Sequence, residues 1–445
     1  MKKDWLLAVS VVVVTVMAAV GLLRWLAPGL LGAPADLQLV QLDEKLPAYY
    51  RGVFQSEHLG IGEYLLKDPL TRIRARPLFP RFMNLGPNDI LGFRNNAVPV
   101  AADIITIGDS MTYGNNAVME HNWPSQLQAI LGRDAGSVYN MATGGWAAVQ
   151  YLDMLINAVA FQPRMVIIAF YTGNDPLESF QMVYGNQHWQ HLIPDATLGP
   201  ADVPGLQDSS PEAGLWAVTF ADGVQTVFTP ALRLASNREH PAVRAGYNIM
   251  AEVARQAGAL AQQHGIRLLF TIIPTKELVY APKVAGEQLT VPQDYSALVE
   301  AEQQNIEQLA NSLRAVPGAG YIDVTAPLQI AALGAQPLYP EIRNGHPVAA
   351  GYAVIGRALA ADIGGLLPTP PPLGLYTLVR EDEYQVLLVN REGVWYFNSF
   401  DDVENNGWPA AVLPEIGLRD IVNLPHRGTV TTIDPQRFGP ACCSK

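Results

Sequence analysis

A chain of 445 residues, 49% of them hydrophobic and 16% charged, carries enough apolar material for one large domain with appendages, since a single core rarely grows far beyond about 250–300 residues. Its formal net charge of −12 repels phosphate backbones and anionic headgroups, which argues against nucleic acid or another polyanion as a partner. The two cysteines, Cys442 and Cys443, are adjacent, which rules out a disulfide framework.

Lys2 and Lys3 precede an apolar stretch from Trp5 to Leu23 broken only by Ser10 and Thr15. That run approaches the roughly 20 residues a helix needs to span hydrocarbon. Residues 1–32 therefore read as a membrane anchor, and the lysines favour a cytoplasmic N-terminus with the remainder of the chain outside. A cleaved signal peptide, with Ala33-Pro34-Ala35 as its site, is the alternative. Both readings export the chain, as a single-pass or a secreted protein.

Residues 33–100 read as a juxtamembrane segment, with Asp89-Ile90-Leu91-Gly92-Phe93-Arg94 packing on the domain edge. From 101 to 365 strand-like and helical patterns alternate. Buried strands are expected at Ile104–Ile107, Val138–Met141, Met165–Phe170, Ile266–Ile273 and Tyr321–Val324. Helices are expected at Trp123–Leu131, Ala147–Ala158, Ala242–Gln263, Ala297–Leu313 and Val348–Ile363. The alternation predicts an α/β domain with a parallel, doubly wound sheet. Residues 176–239 break the rhythm as an insertion or lid, with a hairpin of Trp216–Phe220 and Val224–Phe228. A proline-rich linker, 366–372, precedes a small β-rich appendage at 373–445.

Four short motifs could carry chemistry, each at the end of a predicted element. Gly108-Asp109-Ser110 follows the first strand, where open α/β sheets place their ligands. A serine there needs a base to become a nucleophile, and its N–H can face a developing oxyanion. Gly144-Gly145 follows the second strand and lets backbone approach a ligand. Thr172-Gly173-Asn174-Asp175 follows the third, and the Asn174 amide is a suitable uncharged donor, though a helix cap is the plainer reading. Arg343-Asn344-Gly345-His346-Pro347 opens the last helix and places a histidine as general base. His188-Trp189-Gln190-His191 has metal-like spacing but no third ligand, so no metal is expected. Tyr184, Trp189 and Trp216 read either as a sugar-stacking platform or as packing within the insertion.

In this order the four motifs resemble the SGNH hydrolase superfamily, the GDSL-like esterases, over roughly residues 100–365. The resemblance implies a flavodoxin-like three-layer α/β/α fold, a Ser110 nucleophile, a His346 base and no cofactor. It also implies an oxyanion hole built from the Ser110 and Gly145 amides and the Asn174 side chain. One departure stands out: the family's aspartate, two or three residues before the histidine, is replaced by Asn344 and Arg343. Asn344 or Glu341 would then orient His346, or a backbone carbonyl would leave a Ser–His dyad. Pro274-Thr275-Lys276-Glu277 is similar to a segment of the membrane-tethered alginate O-acetylation accessory proteins. The expected function is an exported serine esterase or O-acyltransferase acting on an acylated small molecule or glycan. The competing expectation is a catalytically weakened domain that binds glycan or scaffolds a membrane acyltransferase.

Overall fold

The computed structural model describes residues 64–68, 70–99, 102–132, 137–204 and 214–363, and towards the C-terminus 374–380, 383–390, 393–397, 399–405, 415–416 and 426–429. The apolar stretch Trp5–Leu23, the proline-rich linker and the cysteine pair lie outside the described residues. Among those described, no helix is long and apolar enough to cross a membrane.

In chain order, a hairpin of β1 (Leu65–Asp68) and β2 (Arg72–Ala75) leads to β3 (Ile104–Gly108), α1 (Ser110–Tyr113), α2 (Trp123–Leu131), β4 (Val138–Asn140), α3 (Ala148–Ala158) and β5 (Met165–Tyr171). There follow α4 (Asp175–Gly185), β6 (Trp216–Thr219), β7 (Gln225–Phe228), α5 (Pro241–Gln263) and β8 (Arg267–Ile273). Then come α6 (Lys276–Gly286), α7 (Gln293–Arg314), β9 (Ala319–Asp323), α8 (Thr325–Ala332) and α9 (Ala349–Ile363). Towards the C-terminus β10 (Gly374–Arg380), β11 (Glu383–Asn390), β12 (Gly393–Tyr396), β13 (Glu415–Ile416) and β14 (His426–Thr429) form their own five-stranded sheet, ordered β13-β10-β11-β12-β14.

The central sheet has the order β4-β3-β5-β8-β9, with every neighbouring pair parallel. Numbering these five strands along the chain gives 2-1-3-4-5, the flavodoxin-like order. Strands β3 and β5 are buried along their whole length, as continuous apolar runs covered on both faces must be. Alternate residues, Met165, Ile167 and Ala169 among them, join Ile104, Leu269 and Ile322 in one core with Trp123 and Leu127 of α2 and Ile355 and Leu359 of α9. The strand order reverses between β3 and β5, so the loops that leave their carboxyl ends diverge and open a crevice. Ser110 follows β3 and Asn174 follows β5, on either side of that point.

The expected strands and helices sit where the pattern placed them, to within a few residues at their ends. The 176–239 insertion differs in opening with the helix α4, whose start carries Pro176 at a position where the missing N–H costs nothing. Its aromatics are packed, not displayed. Tyr184 and Trp189 are buried, and Trp216 lies against Phe228 and Tyr295 with ring centroids 5.3 and 4.7 Å away. Tyr184, Trp189 and Trp216 therefore serve packing within the insertion and form no sugar-stacking platform. Among the described residues no cluster of His, Cys, Asp or Glu could hold a metal, His188 and His191 included.

The segment before β3 is tied into the α/β core. Arg94, 1% exposed, donates to the carbonyls of Gly86 (3.0 Å), Asn84 (2.9 Å), Tyr113 (3.2 Å), Gly114 (2.6 Å) and Ala117 (2.8 Å). One buried guanidinium thus staples residues 84–94 to the loop that leaves α1, and so fixes the surroundings of Ser110.

A buried carboxyl on α3 gives a stability prediction. Asp153 is 8% exposed, and its Oδ2 has no hydrogen-bond partner among the described residues. Burial, then the nearby Asp68 charge, pushes its carboxyl up to about 7. A carboxyl raised on folding contributes stability that is full below its unfolded value near 4 and lost progressively as pH rises towards 7. Asp153→Asn is expected to raise stability at pH 8 by about 1–2 kcal/mol, with little gain at pH 4. Thermal melts of both proteins at the two pH values check this; an equal or inverted difference would contradict it.

Candidate active site

Local chain chemistry sets the position of Ser110 first. β3 ends at Gly108, and Asp109 caps the short helix α1 by accepting the Met111 N–H at 2.8 Å. Ser110 is then the first helical residue, and among the described residues its N–H is used by no other group. A Cβ on Gly108 would lie 2.2 Å from Thr112 Oγ1, so only glycine lets the turn close this tightly.

The histidine arrives from a loop 236 residues later in the chain. His346 Nε2 lies 2.8 Å from Ser110 Oγ, and its Nδ1 lies 2.7 Å from Asn344 Oδ1. The same Asn344 oxygen accepts the His346 backbone N–H at 3.0 Å. A backbone N–H can only donate, so the amide atom facing it is oxygen, and that oxygen cannot donate to the ring. The proton on the imidazole therefore sits on Nδ1, and Nε2 presents a lone pair to the serine hydroxyl. Asp109 Oδ2, at 3.4 Å, is the more distant acceptor for that hydroxyl. Asn344 is thus the side chain that meets His346 Nδ1, while Glu341 is exposed.

The electrostatics differ from those of an Asp–His pair. Burial, and after it the Arg233 guanidinium, hold the His346 imidazole down at about 4. Arg233 comes from the insertion, as a signal-free loop residue that sequence reasoning did not single out. Its Nε donates to Glu277 Oε2 at 3.2 Å and its Nη1 to the Tyr171 hydroxyl at 3.3 Å. A Cβ on Gly345 would meet Arg233 Nη2 at 2.7 Å, so the guanidinium packs directly behind the histidine loop. On the other side, Asn116 Nδ2 donates to the carbonyls of His346 (3.3 Å) and Pro347 (3.4 Å).

The Gly144–Gly145 turn lies against Ser110: a Cβ on Gly144 would be 3.5 Å from Ser110 Cβ and 3.0 Å from the Tyr64 hydroxyl. Gly145 adopts a φ of +77°, the left-handed region, and a Cβ there would strike Ile73 Cδ1 at 2.6 Å. Tyr64 and Ile73 belong to the N-terminal hairpin region, which therefore forms one wall of the site. Tyr64 Oη in turn lies 3.5 Å from Asn115 Nδ2. Neither residue was legible as part of the site.

Asn174 caps α4 through its backbone, its carbonyl accepting the Glu178 N–H at 3.0 Å. Its side-chain oxygen is buried and takes no hydrogen bond among the described residues, and burial raises the neighbouring Glu178 carboxyl. An asparagine amide carries two N–H donors that an acceptor could use. Beneath it Asp175 accepts from the Tyr151 hydroxyl (3.0 Å) and the Tyr171 N–H (2.8 Å), fixing the turn that carries Asn174.

No protein-family model matches this chain, and a search of curated proteins returns no match. Solved structures of similar outline include TesA, at 17% identity over 59% of this chain and 99% of that one, with a TM-score of 0.32. An acetylxylan esterase from Geobacillus stearothermophilus aligns at 11% identity over 59% of this chain and 93% of its own, with a TM-score of 0.33. A GDSL-like lipase from Bacteroides thetaiotaomicron aligns at 10% identity, over 59% and 88%, with a TM-score of 0.31.

Proposed function

We propose that the chain is a serine esterase or acyltransferase of the SGNH type, with Ser110 as nucleophile and His346 as its base. One observation carries this reading: Ser110 Oγ, His346 and Asn344 Oδ1 form a continuous relay at 2.8 and 2.7 Å, at the carboxyl edge of the sheet. Nε2 takes the hydroxyl proton as Oγ attacks an ester carbonyl. The free N–H of Ser110, that of Gly145 and the Asn174 amide are the donors for the oxyanion. The imidazolium then protonates the departing alcohol, leaving an acyl-serine. Water deacylates it to give hydrolysis, while a sugar hydroxyl gives transfer.

Within this proposal the acyl group is short and acetyl-sized, with the Tyr64 hydroxyl, 3.0 Å from where a Cβ on Gly144 would lie, as the group that limits its length. The natural acceptor or donor is an exported glycan, in keeping with the apolar N-terminal stretch and the similarity of Pro274–Glu277 noted above. The weakened-site reading keeps one supporting observation, the absence of a carboxylate at His346 Nδ1.

The test is turnover of p-nitrophenyl acetate, with and without an acceptor oligosaccharide, by the wild type and by His346→Ala. Nitrophenol release that falls by about 10²–10⁴ in the variant supports the esterase, and acetylated acceptor makes it a transferase. Equal release from both proteins would contradict it. The hairpin wall gives a second expectation. Tyr64→Ala is expected to raise kcat/KM for butyrate relative to acetate esters by about 10-fold, since one or two methylenes are worth about 1–3 kcal/mol in a fitted pocket. An unchanged chain-length profile would remove Tyr64 as the limit.

A further inference from the structure

The motif Thr275-Lys276-Glu277 has no part in the relay, yet its three side chains are each 0% exposed. Thr275 caps α6 and bonds the buried Glu302 carboxyl through its N–H at 2.8 Å. Glu277 accepts from the Thr229 N–H at 2.8 Å and from Arg233 at 3.2 Å, which places its charge behind Gly345. Lys276 is the unusual member. Its Nζ donates to the carbonyls of Ile342 at 2.9 Å and of Asn344 at 3.1 Å.

Burying an ammonium against neutral carbonyls is costly, and a methionine of similar volume would pack the same space without desolvating a charge. The adjacent Glu277 carboxylate, itself hydrogen-bonded to Arg233 and Thr229, offsets only part of that cost, and burial still holds the Lys276 ammonium down at about 8. What the ammonium holds is specific: the backbone at both ends of Ile342–Asn344, the tripeptide whose last side chain sets the tautomer of His346. A neutral amide orients an imidazole less strongly than a carboxylate, and it can rotate to offer either its oxygen or its nitrogen. Fixing the backbone of Asn344 restricts that rotation.

We infer that Lys276 is a positioning residue for the catalytic base, holding the Ile342–Asn344 backbone so that the Asn344 oxygen stays on His346 Nδ1. The inference rests on the esterase reading for its kinetic consequence but not for its structural one. Lys276 touches no reacting atom. It acts through Asn344, and takes over part of the orienting work that a carboxylate beside the histidine would do.

Two measurements test it. In steady-state hydrolysis of p-nitrophenyl acetate, Lys276→Ala is expected to lower kcat by about 10²-fold per folded molecule with KM changed less than about 3-fold. Lys276→Arg is expected to recover much of that loss, and added ethylammonium a part of it. Unchanged kcat per folded molecule in Lys276→Ala would overturn the inference, and so would a fall in kcat that neither Arg nor ethylammonium relieves. The imidazole ¹⁵N NMR spectrum supplies a readout that needs no turnover. Wild type is expected to hold the Nδ1–H tautomer of His346, and Lys276→Ala to show a mixture. A locked tautomer lost in the variant, with no ester turnover by wild type, would keep the positioning role and sink the esterase. The same tautomer in both proteins would overturn the positioning role whatever the turnover.

Discussion

Turnover of p-nitrophenyl acetate by Ser110→Ala is expected to fall by about 10⁴-fold or more, to the level left by the remaining oxyanion donors and binding alone. The substitution removes one oxygen, whose recorded partners are His346 Nε2 and the more distant Asp109 Oδ2. Neither contact holds the fold together. Asp109 keeps its bond to the Met111 N–H, and His346 keeps Asn344. The melting temperature is therefore expected to stay within a few degrees of wild type, so that lost activity reports lost chemistry. A folded Ser110→Ala protein with full activity would show that a different group attacks the ester.

Asn344→Asp is expected to work in the opposite direction. His346 is held at about 4 by burial and by Arg233, and no carboxylate offsets either. The free base is thus available down to low pH but weakly basic. Activity of the wild type is expected to be lost only as pH falls through about 4, instead of near the ordinary imidazole value of about 6.5. A carboxylate at Nδ1 stabilises the imidazolium that forms as Oγ attacks, and the reverse exchange in a Ser–His–Asp enzyme costs about 10⁴ in kcat. Here Lys276 and Arg233 already flank the loop, so an added negative charge meets two cations. A gain of about 10- to 10²-fold in kcat is expected at pH 7, together with an acid limb moved up towards 6. The pH–rate profile from 3.5 to 8 checks both. A profile that does not move would show that Asn344 is not coupled to the base.

An imidazole lowered on folding contributes stability that is present above about 6.5 and lost as pH falls towards 4. Asp89, Asp109 and Asp153 are each raised by burial to about 7 and act in the opposite sense over the same range. The buried carboxyls thus limit stability on the neutral side and the histidine on the acid side.

The sheet was legible because its strands are apolar runs covered on both faces, which leaves no period to misread in Met165–Tyr171 or Arg267–Ile273. The candidate site was legible in part because Ser110, Asn174 and His346 follow strands or open a helix, where short motifs have a defined place. Asn344 and Glu341 could not be separated by spacing. The backbone did so, through the turn in which Asn344 Oδ1 accepts the His346 N–H. Arg233 and Tyr64 were invisible because each reaches the site from a segment with no regular pattern, and a lone arginine or tyrosine in such a segment has many uses. The aromatics of the insertion misled for a related reason. Trp216 lies on a hairpin that is packed by Phe228 and Tyr295, a burial that alternation alone does not reveal. Lys276 was legible as a motif but not as a role, because its partners are backbone carbonyls 66 and 68 residues away.

The activation of Ser110 by His346 is tested most directly by covalent capture. Purified protein would be treated with an alkyl fluorophosphonate, followed by intact mass and peptide mapping, with His346→Ala beside wild type. A single adduct on Ser110 in wild type, formed at least about 10²-fold more slowly in the variant, is the predicted result. No adduct on Ser110, or labelling at the same rate without His346, would contradict the account.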